Sequence, residues 1–131
     1  MSGDIPIFLK RSQVDELHDL SLERYGGQAG VRDSGLVDSA LASAKNTLFY
    51  GGGDIFDIAA AYAFHIAEAQ AFNDGNKRTA IGAALTFLEL NSVHPIPSED
   101  EMYDAMIDIA NKRLTKADLS ELFRSAARLK L

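Results

Sequence analysis

An all-α bundle is the fold class this sequence predicts, on three observations. Two stretches, IAAAYAFHIAEAQA and TAIGAALTFLEL, are apolar on nearly every side and rich in alanine, as helices at the centre of a bundle are. Amphipathic stretches with a 3.6-residue period precede and follow them. Ser98 with Glu101, and Thr115 with Asp118, form two capping boxes that open further helices. The expectation is a six-helix bundle with one small flap or hairpin before the central helix.

In chain order, Ser12 with Asp15 and Glu16 resembles a helix start, and Val14, Leu17 and Ser21 or Leu22 give a helix face running to Tyr25. Gly26, Gly27 and Gly30 end that helix. Asp33 and Ser34 offer N-caps for the second, whose apolar positions Leu36, Val37, Ala40, Leu41 and Ala44 keep the helical period until about Asn46. The next piece, LFYGGGDIF, has two short apolar-aromatic runs around three glycines and reads as a hairpin. The two central helices follow, from Asp57 to about Ala71 and from Thr79 to Leu90. Asn91 to Pro97, with two prolines, is a connector. The fifth helix turns Met102, Met106 and Ile109 inward, and the sixth Leu119, Leu122 and Phe123.

Composition narrows the function. A chain of 131 residues is read as a single domain, 1–131. Its net charge of −6 and the lack of a basic run interleaved with aromatics argue against a nucleic-acid partner. The absence of cysteine removes disulfides, thiolate nucleophiles and thiolate metal sites. No stretch approaches the ~20 apolar residues of a membrane span, and MSGDIPIFLKRSQ lacks the order of a secretory signal. A soluble cytoplasmic protein is expected.

The loop between the central helices, Phe72 to Arg78, reads FNDGNKR and breaks a local rule. Lys77 and Arg78 fall in the first turn of a helix, where unpaired N–H groups and the macrodipole already supply positive charge. A phosphate would resolve the conflict, taking N–H bonds from the turn, a fork from Arg78 and a point charge from Lys77. Gly75 permits close approach and a positive φ. Asp74 is placed to hold a divalent ion bridging phosphate oxygens, ordinarily Mg²⁺. The plainer alternative is a common turn whose cations pair with Asp74 or Glu68. Neither a Walker A loop nor G-x-G-x-x-G is present.

AQAFNDGNKRTA resembles the core motif of the Fic/Doc family, whose death-on-curing branch reads H-P-F-x-D-G-N-K-R-T-A. RYGGQAGVRDSGLVDSAL and LTFLELNSV resemble the flanking helices, so the likeness covers almost the whole chain. It implies an all-α bundle with a flap, Phe72 as the loop's buried anchor, and Gly75, Asn76, Lys77 and Arg78 on the phosphates of ATP. It implies catalytic positions at Gln70, Asp74 and Lys77, with Mg²⁺ at Asp74. Further implications are a toxin restrained by a cognate antitoxin, and a phosphoryl group transferred to a translation elongation factor. Relatives with glycine at the Lys77 position usually transfer AMP instead.

The chain departs from the pattern at the first motif position, where the family's histidine is Gln70, and at the second, where proline is Ala71. Glutamine cannot act as a base, and general-base catalysis contributes roughly 10²–10⁴ in rate. A degenerate relative that only binds nucleotide or partner is therefore the competing expectation, with AMP transfer as a third. None of the other histidines is expected to replace the base. His65 lies about 140° around its helix from Gln70 and pairs better with Glu68, while His18 and His94 are placed near the loop by no local argument. In relatives the flap adds a strand to an extended target segment, a role open to Leu48, Phe49, Tyr50 and Ile55; equally, these residues cover the core. Ser12 to Glu16 has the spacing of the family's self-inhibitory pattern, but Leu17 follows, which favours control by a separate antitoxin.

Overall fold

The computed structural model of the chain describes residues 5–128; the first four and last three residues, including the start of the segment tested for a leader, lie outside the described residues. Six helices follow one another: α1 (Arg11–Tyr25), α2 (Ser34–Phe49), α3 (Ile55–Ala69), α4 (Asn76–Leu90), α5 (Glu99–Ala110) and α6 (Lys116–Arg128). The expected all-α bundle is what forms.

The alanine-rich helices are the centre. α3 packs against α2, α4 and α6, and α4 against α1, α3 and α5. Small residues on both helices explain the close packing: Ala59 to Ala61 and Ala63 on α3, with Ala80, Ala83 and Ala84 on α4, are all buried. Tyr62, Phe72, Phe87 and Phe123 fill the space the alanines leave. Each such side chain contributes about 1.5–3 kcal/mol when fully withdrawn from water. The Tyr62 hydroxyl accepts the Leu9 N–H at 2.9 Å, and burial pushes its pKa up to about 12. Asn91 bonds both backbone groups of Ile7, at 2.8 and 3.0 Å, so the segment before α1 is pinned along the bundle.

The helix starts are chemically explicit. Ser98 Oγ accepts the Glu101 N–H while Glu101 accepts that of Ser98. Thr115 and Asp118 make the same exchange. Asp33 caps α2 through the Leu36 N–H. At α1 the expectation of a cap at Ser12 is corrected. The helix begins at Arg11, the cap position is Lys10, and Gln13 accepts the Lys10 N–H at 2.7 Å, which leaves Ser12 inside the first turn.

A second correction concerns the flap. No hairpin forms at LFYGGGDIF: Leu48 and Phe49 are the last residues of α2, Tyr50 ends it, and Ile55 is the first residue of α3. The helical period of Leu41, Ala44 and Leu48 carries α2 onto the core past Asn46. The Tyr50 and Gly53 N–H groups then return to the Asn46 and Thr47 carbonyls, which folds the glycines into a turn. Leu48 and Ile55 cover the core, whereas Phe49 and Tyr50 are exposed. The extended pairing among the described residues lies elsewhere, as an antiparallel bridge between Val31 and Phe72.

Candidate functional site

FNDGNKR closes the gap between α3 and α4, and three elements hold it. From within, Asn76 turns its side chain back onto the loop: its Oδ1 accepts the Phe72 N–H at 3.1 Å and its Nδ2 donates to the Phe72 carbonyl at 3.0 Å. Phe72 is buried, as an anchor must be. From the side, the α1–α2 loop lies along it. The Arg32 and Asp33 N–H groups meet the Ala71 carbonyl, the Asn73 N–H meets the Gly30 carbonyl, and the Arg32 guanidinium bonds the Gln70 carbonyl at the end of α3. A cation there also complements the negative end of the helix dipole.

From beneath, α1 supports the turn. The His18 ring stacks on Phe72 and its Nε2 lies 2.8 Å from the Asp74 carbonyl. A carbonyl only accepts, so that nitrogen carries the proton. Gly75 sits directly above Ser21 with φ at +81°, and a Cβ there would stand 2.7 Å from the Ser21 hydroxyl. Only glycine meets both conditions without strain. Beyond α1, the Gln28 N–H donates to Asp74 Oδ2 at 2.7 Å.

Above this frame lies an open groove of about 730 Å³, lined by residues that include Gln70, Asp74, Gly75, Asn76, Lys77 and Arg78 together with Tyr25, Arg32 and Tyr103. The structure thus brings the expected phosphate-binding and catalytic positions to one surface. Leu48, Phe49, Tyr50 and Ile55 are not among the groove's lining residues. Gln70 is exposed at the rim in a left-handed conformation, φ 47°, ψ 45°. Gly75 is the N-cap of α4 and offers no side chain to it, and the first turn holds no acid. Neither the Lys77 nor the Arg78 side chain forms a hydrogen bond or ion pair among the described residues, so neither pairs with Asp74 or Glu68. Arg78 instead meets two aromatic faces, its guanidinium carbon 3.8 Å from the centre of Tyr25 and 4.2 Å from that of Tyr103.

The profile of the Fic/Doc family matches residues 8–88, from the segment before α1 to near the end of α4. The chain belongs to the Fic/Doc family. Among curated relatives, the Escherichia phage P1 protein called Protein kinase doc is 32% identical over 109 residues, 82% of this chain and 86% of that one. The Mycolicibacterium smegmatis protein called Toxin Doc is 40% identical over 96 residues, 70% of this chain and 71% of that one.

Several residues of this Fic/Doc site escaped the sequence. His18, read as remote, lies under the loop; the 56 residues separating it from Asp74 leave no local signal. Tyr25, Arg32 and Tyr103 likewise reach the groove only through tertiary packing. His65 is also corrected. Its Nε2 lies 3.1 Å from Lys116 Nζ, which must donate to it, so its partner is on α6 and not Glu68. His94 is exposed in the connector. Among the described residues, no helix is long and apolar enough to cross a membrane.

Proposed function

We propose that this chain is a Doc-like toxin, restrained by a cognate antitoxin, that binds ATP with Mg²⁺ in the groove and transfers a phosphoryl group to a hydroxyl of a translation elongation factor. The observation that carries the binding claim is the pair Lys77 and Arg78, two cations in the first turn of α4 with no acidic partner among the described residues. Such a cluster opposes the helix dipole unless an anion joins it. The names of the relatives, a protein kinase and a toxin, supply the reaction class and the setting.

Asp74 is suited to Mg²⁺ that arrives with the nucleotide. Its Oδ2 takes the Gln28 N–H, and no cluster of three acidic or histidine ligands exists among the described residues to hold a metal by protein alone. One carboxylate plus phosphate oxygens and water is an ordinary Mg²⁺ shell. Held there by Asp74, the ion would supply positive charge against the charge that develops on the transferring phosphoryl group. The chain's own residues do the rest. Backbone N–H groups at Asn76 and Lys77 face the phosphates, Arg78 forks two of their oxygens, and Lys77 adds a point charge. The substrate oxygen bonds to the γ-phosphorus as the bond to the ADP oxygen breaks. Gln70 orients the attacking hydroxyl by hydrogen bonding, and the proton leaves to the water that reaches this exposed position.

Since positioning and charge stabilisation carry much of phosphoryl transfer, slow turnover survives without a base. Purified protein incubated with a lysate and γ-labelled ATP should label one protein, and Gln70→His should raise the rate by roughly 10²–10⁴. Label passing from α-labelled ATP would identify AMP transfer instead. Gln70 favours a second reading, binding without catalysis: there the native chain transfers neither label, while ATP still binds and Arg78→Ala weakens that binding measurably.

A further inference from the structure

We infer that Tyr25 and Tyr103 are positioning residues that fix Arg78 as a phosphate fork, a role resting on the proposal that this groove binds phosphate. Arg11, Arg24, Arg113, Arg124 and Arg128 each meet a carboxylate within 4.0 Å, between 2.8 and 3.9 Å. Arg32 donates to a carbonyl. Arg78, half-buried, is held by rings in place of oxygen, at 3.8 Å from Tyr25 and 4.2 Å from Tyr103.

The difference is chemical. A carboxylate that immobilised Arg78 would occupy its N–H donors and cancel its charge. A ring face attracts the cation through its quadrupole and uses no donor. The guanidinium plane is therefore fixed while its in-plane N–H groups stay available, the state a bidentate phosphate contact requires. The rings come from the last residue of α1 and from α5, so two helices outside the motif set the geometry of its last cation. Tyr25 also precedes the turn that delivers the Gln28 N–H to Asp74. One helix end thus orients both charged ends of the loop.

Two readouts separate this role from a structural one and from the function it serves. In the free protein, the Nε–H signal of Arg78 should show ring-current displacement and restricted motion by NMR. Both are reduced in Tyr25→Ala and in Tyr103→Ala, lost in the double Ala variant, and kept in the Phe variants. With ATP·Mg²⁺ as the probe in calorimetry, each folded Ala variant should weaken binding by about 3- to 10-fold. The Phe variants should bind as the native chain does, and the Ala effects should vanish in an Arg78→Ala background. Phe variants as impaired as Ala, or Ala effects that persist without Arg78, overturn the inference while leaving the phosphate site intact. If Arg78→Ala itself leaves ATP affinity unchanged, the phosphate reading fails, whatever the NMR shows. Tyr103→Ala, on its own helix, carries the test should Tyr25→Ala fail to fold.

Discussion

His18 lies flat on Phe72, the ring centres 3.9 Å apart and the planes 16° from parallel, while its Nε2 donates to the Asp74 carbonyl. One buried side chain therefore supports the loop's anchor and its acid together. Removing it loses both the stack and the hydrogen bond, and opens a cavity. His18→Ala should cost about 2–4 kcal/mol in a urea titration, and Phe72→Ala about 3–5 kcal/mol. The double variant should fall short of the sum by about 0.5–1.5 kcal/mol, the scale of ring–ring coupling. Strict additivity would mean that the two rings act independently.

How such a contact stayed hidden is a matter of range. α3 and α4 were legible because residues apolar on every side have no place but a bundle centre, and Ser98 and Thr115 because a capping box is written within four residues. Lys77 and Arg78 stood out because they contradict the helix on which they sit. The platform beneath them did not. His18, Arg32 and Tyr103 meet the motif across 56, 38 and 25 residues, the last being the separation of Arg78 from Tyr103. The absence of a hairpin at LFYGGGDIF has the converse reason. Three glycines signalled a turn correctly, but the aromatics before them belong to a helix whose inner face is set by contact with α3.

Gly75 and Ser21 form the tightest approach beneath the loop. Gly75→Ala places its Cβ 2.7 Å from the Ser21 hydroxyl and demands a φ of +81° from an L side chain. The left-handed backbone alone costs about 1–2 kcal/mol. The substitution should lower stability by more than that and weaken ATP binding. Adding Ser21→Ala should restore part of the stability and not all, because the collision is relieved and the backbone strain is not. Full rescue would show that strain at position 75 is negligible.

Gln70 separates fold from chemistry. It closes α3 in a left-handed conformation, where glycine is the favoured residue and histidine is tolerated better than most. Gln70→Gly should leave stability unchanged or raise it by about 0.5–1 kcal/mol, measured by thermal melting, while removing the amide proposed to orient the attacking hydroxyl. Label transfer should fall in Gln70→Gly and rise in Gln70→His, with both proteins folded. Equal transfer by native and Gly forms would remove Gln70 from the mechanism.

His65 predicts how the bundle responds to acid. Burial, and then the charge of Lys116, push its pKa below the ordinary 6.5, with Glu68 opposing. The cleft on its other side is lined from α2 by Leu36, Ser39, Ala40 and Ser43, none of which titrates there. A depressed folded-state pKa means that the unfolded chain takes up the proton first as pH falls. The contribution of neutral His65 is therefore present above pH 6.5 and is lost as the pH drops through that value towards the folded one. Once protonated, the ring no longer accepts from Lys116, and the α3–α6 contact becomes a repulsion between two cations. The melting temperature should fall between pH 7.5 and 5.5, and His65→Gln, which keeps an acceptor but does not titrate, should show a shallower fall. If the two proteins lose the same number of degrees over that interval, the acid sensitivity of the bundle arises at another group.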